Sequence, residues 1–172
     1  MRVIKHVDII DEIFLIRKLE QQLLENEIHA DNAIIITVST DYSSIVGQYL
    51  RHALSYKKEI CDGFGIDVPY PDETWNTDYV NDLHATFKQH EKLFVGTNKK
   101  LLLVEAGVIR GGNYTYVVDY LNKSYMNDII TLALYENKNS VFKSNYVGEY
   151  YDNSTEDLSF WWERDNKHWD NA

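Results

Sequence analysis

Residues 101–118 read LLLVEAGVIRGGNYTYVV, and this stretch decides the fold. The four apolar residues 101–104 predict a strand that is buried on both faces. Glu105 follows the strand, a turn with two glycines, Gly111 and Gly112, comes next, and apolar side chains then recur at helical spacing. A buried strand that leads through a glycine turn into a helix is typical of a sheet whose strands run parallel.

Apolar runs of the same kind lie on both sides of this stretch. Residues 33–38 (AIIITV) and 129–135 (IITLALY) predict two more central strands, and residues 141–151 are a candidate for a further one. Residues 9–26 predict an amphipathic helix, because isoleucine and leucine recur there at helical spacing between charges. This alternation indicates an α/β fold with one mostly parallel open sheet flanked by helices, in a single domain over residues 1–172.

Two segments lack such a pattern. Residues 59–76 hold both prolines, two glycines and an acidic bias, which predict a long loop or an irregular hairpin. Residues 158–169 are aromatic, and we predict an irregular tail that folds back over the carboxyl edge of the sheet or onto a second copy of the chain. Tryptophan and phenylalanine side chains are costly to leave in water, which favours this interpretation over a free tail.

The composition narrows the classes of protein. The formal net charge is −10, which disfavours DNA and RNA as partners, because their affinity comes mostly from Lys and Arg on phosphates. A single cysteine, Cys61, allows no intramolecular disulfide, and the six histidines show no metal-ligand spacing, so no metal site is predicted within the chain. No apolar run suits a bilayer span and no signal peptide is visible, so the expected location is the cytoplasm.

Ligands of parallel sheets bind beyond the carboxyl ends of the strands, and the turn after residues 101–104 leaves the sheet at that edge. The backbone amides of Gly111, Gly112 and Asn113 would there point out of a helix N-terminus, which favours a phosphate. Asn113 is also predicted to be the N-cap of this helix. Arg110 adds a guanidinium that can bind a phosphate through two hydrogen bonds. We call residues 110–113 the anion loop.

Each of these residues also has a structural interpretation. Gly111 and Gly112 could form an ordinary strand-to-helix turn. Glu105 could be a solvated strand end, or could pair with Arg110 in a salt bridge. The aromatic side chains of the tail could stack on a base, or could pack against the domain or a dimer partner.

The stretch 101–118 resembles the phosphoribosyl pyrophosphate (PRPP) loop of type I phosphoribosyltransferases. In that loop an apolar strand precedes two acidic residues, two apolar residues and a turn of Thr-Gly-Gly-Thr character. IIITVSTDYSSIVGQYL, residues 34–50, is similar to the family's pyrophosphate-loop strand, turn and helix, and IITLALYENKNSVFKSNYVGEYY, residues 129–151, to the strands that follow the PRPP loop. LSFWWERD, residues 158–165, resembles the aromatic tail of 6-oxopurine enzymes such as xanthine–guanine phosphoribosyltransferase.

The resemblance implies a type I fold with a small hood built from the chain termini, in a cytoplasmic enzyme that can be a homodimer. It implies Mg²⁺ with PRPP, and transfer of the 5-phosphoribosyl group to a nitrogenous base. Glu105 would be the catalytic-site acid that holds the ribose hydroxyls. Tyr135 stands where the family has a purine-reading lysine, and with Trp161 and Trp162 it is a candidate for the base side of the site.

Several positions depart from the family pattern. Ala106 stands where the second ribose-binding acid is expected, and Ile109 where 6-oxopurine enzymes have an acidic base. In the pyrophosphate loop, Thr40, Asp41 and Tyr42 replace a basic residue and two glycines. A carboxylate at Asp41 would repel a polyanionic substrate, and losing a general base costs about 10²–10⁴ in rate. We therefore predict little or no conversion of PRPP with hypoxanthine, guanine, xanthine or adenine.

Three hypotheses follow for the function. The first is a diverged phosphoribosyltransferase-like protein that binds a phosphorylated ribose or a nucleotide, with Mg²⁺ and PRPP if it is active. The second is a non-catalytic nucleotide- or anion-binding or regulatory module that retains the fold. The third is a structural protein that uses its aromatic tail as an interface, and the fold alone does not select among them.

Overall fold

The computed structural model describes residues 3–38, 43–55, 61–69 and 74–160. In chain order the elements are β1 (Val3–Val7), α1 (Ile9–Glu25), β2 (Ala33–Val38), α2 (Ser43–Leu54), β3 (Asp62–Ile66), α3 (Thr77–His90), a 3₁₀ turn (Glu91–Leu93), β4 (Lys100–Val108), α4 (Gly112–Ser124), β5 (Ile129–Asn137), β6 (Tyr146–Tyr151) and β7 (Glu156–Phe160). The strands β3-β2-β4-β5-β6 form a five-stranded parallel sheet in that order, and β1 and β7 form a two-stranded parallel sheet. None of the helices in the described ranges has the length and apolar character that crossing a bilayer requires.

The α/β fold and the three central strands predicted from the sequence are confirmed. β2, β4 and β5 are neighbours in the sheet, and their apolar side chains are almost all excluded from solvent. Two hydrophobic clusters cover the sheet. One contains the inward faces of α1 and α2, and the other contains those of α3 and α4. Burial on both faces explains why these strands read as continuous apolar runs.

β4 is longer than its apolar run. Glu105, Gly107 and Val108 remain paired with β5, opposite Ala133, Tyr135 and Glu136 respectively, so the strand continues past the acidic residue that was expected to follow it. The turn into α4 is consequently short, and comprises only residues 109–111. This shortening fixes where the anion loop leaves the sheet.

Two predictions of irregular structure are wrong for residues 62–66 and 158–160, which form strands. Within residues 59–76, β3 pairs in parallel with β2 at the edge of the large sheet. Within the tail, β7 pairs with β1, with Val7 opposite Phe160, so the two ends of the described chain build the small hood. Trp161, Trp162 and Trp169 lie outside the described residues.

The entry into α1 links the hood to the large sheet. Asp8 caps the helix, because its side chain accepts hydrogen bonds from the amides of Ile10 and Asp11 at 2.8 and 2.9 Å. Leu15, which is 6% exposed, then packs into the cluster beneath the helix. Lys5 on β1 lies 5.5 Å from the ring centroid of Tyr135 on β5 and pairs with Glu149 on β6, so the hood lies next to the carboxyl ends of these two strands.

Candidate functional site

The anion loop lies at the carboxyl edge of the large sheet, between β4 and α4. Gly111 is the N-cap of α4 and has a φ angle of 81°, which is a left-handed conformation. The amide of Thr115 donates to the carbonyl of Gly111 at 3.0 Å and closes the first turn. The amides of Gly112 and Asn113 precede that bond and have no acceptor within the helix. Amides in this position favour an anion.

The two glycines of the loop have different surroundings. A Cβ atom on Gly111 would lie 2.4 Å from the Cβ of Phe142 and 2.7 Å from the Oγ of Ser140. Among the residues that the structure describes, a Cβ atom on Gly112 would meet no atom within 4 Å. Gly111 is therefore required by its left-handed backbone and by packing, whereas Gly112 borders open space at the helix N-terminus.

Asn113 does not cap α4, and that prediction is wrong. The left-handed Gly111 begins the helix two residues earlier and makes no side-chain capping bond. The side-chain amide of Asn113 instead donates from Nδ2 to the carbonyl of Pro69 at 3.1 Å. Asn113 thus ties α4 to Pro69, in the chain that follows β3.

Arg110 is exposed, and within the described part of the chain no carboxylate forms a salt bridge with its guanidinium. The alternative of a salt bridge between Arg110 and Glu105 is therefore wrong. The backbone carbonyl of Arg110 accepts a hydrogen bond from the amide of Val141 at 3.3 Å, so the main chain is held while the side chain extends into solvent. A fixed backbone with a solvent-facing guanidinium suits recognition of a phosphate.

Glu105 lies two residues after Leu103 on β4, so the two side chains share a face of the sheet. Leu103 packs in the same cluster as Tyr114 of α4, and this face is therefore the α4 face. The side chain of Glu105 is partly buried, and burial raises the pKa of its carboxyl from 4.5 to about 8. The nearby Tyr114 hydroxyl donates to the carbonyls of Leu103, at 3.0 Å, and Leu132. Near neutral pH the Glu105 carboxyl is therefore mostly protonated, and a protonated carboxyl can donate a hydrogen bond without repelling an anion.

Asn137 is a residue of this region that the sequence reasoning missed. It ends β5, is 3% exposed, and donates from Nδ2 to the carbonyl of Ile109 at 2.9 Å. Its only sequence signal is an amide two residues after the buried apolar run 129–135. The chain after it, through Ser140 and Phe142, provides the surface against which Gly111 packs.

The candidates for the base side are only partly described. The ring of Tyr135 is fully buried in the cluster that contains Val7 and Leu15, and the Nζ of Lys5 lies 5.5 Å from the ring centroid. Lys5 also forms a salt bridge with Glu149 on β6. Tyr135 therefore lies beneath the hood, and a role for it in binding a base remains a prediction, as do the roles of the undescribed Trp161 and Trp162.

A Mg²⁺ ion held by protein carboxylates would find few ligands among the described residues of this region. Mg²⁺ prefers ionised oxygen ligands, Ala106 and Ile109 carry none, and Glu105 is a single carboxyl. Within the described ranges no three His, Cys, Asp or Glu side chains come together as a metal site. Among the described residues, the groups of this region that suit an anion are the first-turn amides and the guanidinium of Arg110.

The architecture is that of the type I phosphoribosyltransferases, which is the class of fold that the strand order, the hood and the loop define together. The chain is similar to a purine phosphoribosyltransferase from Pyrococcus horikoshii Ot3, with 16% identity and a TM-score of 0.67 over 93% of this chain and 94% of that one. It is similar to the Helicobacter pylori xanthine-guanine-hypoxanthine phosphoribosyltransferase, with 14% identity and a TM-score of 0.64 over all of both chains.

A third similar structure is a hypothetical protein from Neisseria gonorrhoeae with bound ppGpp, with 14% identity and a TM-score of 0.69 over 95% of this chain and 90% of that one. No family sequence model and no curated protein sequence matches the chain. At these identities the likeness defines the fold, and the function has to be argued from the residues of the site.

Proposed function

We propose that this protein binds the phosphate group of a nucleotide or of a phosphorylated ribose in the anion loop. The observation that carries the proposal is the pair of first-turn amides, Gly112 and Asn113, beside open space and an exposed Arg110. The purine phosphoribosyltransferases and the ppGpp-bound protein that share the fold support a purine nucleotide as the ligand class.

The same residues favour binding over transfer of the phosphoribosyl group. Ala106 and Ile109 offer neither a ribose-binding acid nor a general base, and removing a base costs about 10²–10⁴ in rate. Glu105 is the residue that keeps transfer as the second candidate, since its protonated carboxyl can still bond to a ribose hydroxyl. We therefore infer a nucleotide-binding module in which any turnover of Mg²⁺-PRPP is slow.

A ligand screen tests the binding proposal. Thermal unfolding is measured with inorganic phosphate, pyrophosphate, PRPP, GMP, IMP, AMP and ppGpp, each with and without Mg²⁺. A ligand that binds only the folded state raises the melting temperature, and the rise grows with the ratio of its concentration to its Kd. We expect at least one nucleotide to do so, and calorimetry then gives its affinity.

The Arg110→Ala variant tests the site, and Arg17→Ala is its matched control. Arg17 is an exposed arginine on α1 that pairs with Glu20, far along the chain from the loop. We expect Arg110→Ala to lower the affinity for the ligand found in the screen by about tenfold, because one charge-assisted hydrogen bond is lost. Equal affinities in Arg110→Ala and the wild type would place the ligand elsewhere.

Turnover and assembly are tested separately. Incubation with Mg²⁺-PRPP and each of hypoxanthine, guanine, xanthine and adenine should give almost no nucleotide. Rapid conversion that Glu105→Ala abolishes would favour the second candidate. Sedimentation of the purified chain tests the homodimer that the resemblance implies.

A further inference from the structure

The anion loop is held from behind by the chain that follows β5. The Nδ2 of Asn137 donates to the carbonyl of Ile109 at 2.9 Å, and the amide of Val141 donates to the carbonyl of Arg110 at 3.3 Å. Two consecutive carbonyls, directly before Gly111, are therefore directed toward residues 137–141. A backbone whose carbonyls are held on one side is constrained to present the amides that follow in a fixed direction.

The side-chain amide of Asn137 has one orientation that satisfies its neighbours. Its Oδ1 accepts hydrogen bonds from the amides of Asn139 and Asn153, at 3.1 and 3.4 Å, while its Nδ2 donates to Ile109. A backbone N–H can only donate and a carbonyl can only accept, so rotating the amide by half a turn would break all three bonds. Asn137 is thus a buried link among three separate segments of the chain.

One of those segments is the turn between β6 and β7, which leads into the hood. The amide of Lys138 donates to the carbonyl of Tyr151 at 2.8 Å, and the Nδ2 of Asn139 donates to the Oδ1 of Asp152 at 3.2 Å. The same Oδ1 accepts the amide of Ser154 at 2.9 Å, which shapes the turn. Residues 137–141 therefore bond to the anion loop on one side and to the hood turn on the other.

We propose that Asn137 is a positioning residue for the anion loop, and that residues 137–141 couple this loop to the turn that enters the hood. The part of the proposal that concerns ligand affinity rests on the proposed function. Asn137 would act through the backbone of Ile109 and Arg110 and touch no ligand itself. Loss of its bond to Ile109 frees the carbonyl, so the amides of the loop lose their fixed direction.

Three variants distinguish the bonds of residues 137–141 to the anion loop from their bonds to the hood turn. Asn137→Asp keeps an acceptor for the amides of Asn139 and Asn153, but sets a carboxylate oxygen against the carbonyl of Ile109. Asn137→Ala removes both functions. Val141→Pro removes the second anchor of the loop at a position that is 85% exposed, so it leaves the core intact.

Asn127→Ala is the matched control. Asn127 is another amide clamp, whose Nδ2 donates to the carbonyls of Phe94, Thr97 and Lys99 at the opposite edge of the sheet. Its loss should lower stability by an amount similar to that caused by Asn137→Ala, without affecting the anion loop. A structural role alone would make the two variants behave alike.

The first readout is hydrogen exchange of the free protein. In Asn137→Asp we expect the amide of Thr115, which donates to the carbonyl of Gly111, to exchange about tenfold faster, while those of residues 153–156 keep their wild-type rates. Asn137→Ala should speed exchange at Thr115 and at residues 153–156, Val141→Pro only at Thr115, and Asn127→Ala at neither. Unchanged exchange at Thr115 in both Asn137→Asp and Val141→Pro overturns the proposal.

The second readout is calorimetric affinity for inorganic phosphate and for GMP. Asn137→Asp and Val141→Pro should weaken binding by about tenfold relative to Asn127→Ala. Circular dichroism identifies any variant that does not fold, and if both Asn137 variants fail, exchange in Val141→Pro decides. If the wild type binds none of the ligands in the screen, the proposed function fails, while the exchange rates still decide whether residues 137–141 position the loop.

Discussion

The anion loop has a packed side and an open side, and the space available for a side chain differs between the adjacent residues Gly111 and Gly112. On the packed side, Gly111 touches Ser140 and Phe142 so closely that a single methyl group would not fit. On the open side, no atom of the described residues lies within 4 Å of where that methyl would go on Gly112. The same residue type, repeated, is required by packing at one position and borders open space at the next.

The packed side continues beneath α4 to the centre of the sheet. The buried hydroxyl of Tyr114 donates to carbonyls of two strands, at Leu103 of β4 and Leu132 of β5. The open side continues along Arg110, which is exposed and makes no salt bridge among the described residues. Changes on the packed side should therefore alter stability, and changes on the open side should alter affinity.

The largest effect is expected for Gly111→Ala. A non-glycine residue at a φ of 81° costs about 1 kcal/mol, and forcing a Cβ against Phe142 adds about 2 kcal/mol, so unfolding should become easier by about 3 kcal/mol. Urea denaturation measures the change.

Gly96→Ala is the control for Gly111→Ala. Gly96 has a φ of 76° but no atom within 4 Å of its missing Cβ, so it reports backbone strain alone. Equal losses in Gly96→Ala and Gly111→Ala would mean that the packed side does not hold the loop.

The next effect concerns Glu105 and pH. Burial raises the pKa of its folded carboxyl to about 8, above the 4.5 of the exposed group, so the folded state binds the proton more tightly than the unfolded state. The contribution to stability is full below about pH 4.5 and is lost as pH rises toward 8. The loss should be about 2 kcal/mol, less than the shift alone implies, because part of the carboxyl meets water.

Denaturation at several pH values tests this dependence against Glu105→Gln. The variant cannot ionise at this position, so its stability should vary less with pH than that of the wild type. If the two curves run parallel from acid to pH 8, the carboxyl is solvated and the partly buried site beside Tyr114 is not as dry as the structure indicates.

A smaller loss of stability is expected for Tyr114→Phe. The substitution keeps the buried ring but removes the donor to the carbonyls of Leu103 and Leu132, which should cost about 1 kcal/mol. Tyr150→Phe, at a tyrosine that is 49% exposed, is the control and should be neutral. A neutral Tyr114→Phe would show that the two carbonyls are satisfied without the hydroxyl.

The parts of the fold that could be predicted are those whose side chains are buried on both faces. β2 and β5 are almost wholly apolar, so their sequences carry a strong signal. β1, β3 and β7 lie at sheet edges or in the hood, and their sequences VIKHV, DGFGI and EDLSF contain charges or glycines. Edge strands bury few side chains, and hydrophobic patterning therefore cannot distinguish them from loops.

The position of the anion loop in the fold could also be predicted, but the contacts that its residues make could not. The strand, the glycines and the helix placed the anion loop at the carboxyl edge. That Gly111 packs against Phe142, or that Asn137 holds Ile109, depends on a segment about thirty residues further along the chain, and local sequence carries no signal for such contacts.

The smallest change in stability, and the sharpest test of the open side, is expected for Gly112→Ala. Gly112 occupies the first position of α4, where alanine is a better helix former than glycine, and a Cβ atom there would meet no atom of the described part of the chain within 4 Å. Stability should therefore stay within about 0.5 kcal/mol of the wild type or rise slightly. The added methyl nevertheless projects into the space in front of the first-turn amides, where the phosphate is proposed to lie.

We therefore expect Gly112→Ala to lower the affinity for inorganic phosphate or GMP by about tenfold in calorimetry, while the melting temperature stays the same. Substitution of a glycine with a purely structural role would instead lower the melting temperature. Gly96→Ala adds backbone strain alone, Gly111→Ala adds strain and a packing clash, and Gly112→Ala fills only the space in front of the first-turn amides. Full affinity in a stable Gly112→Ala protein would mean that the open space faces solvent rather than a ligand. The anion would then have to be sought along Arg110 instead of at the helix N-terminus.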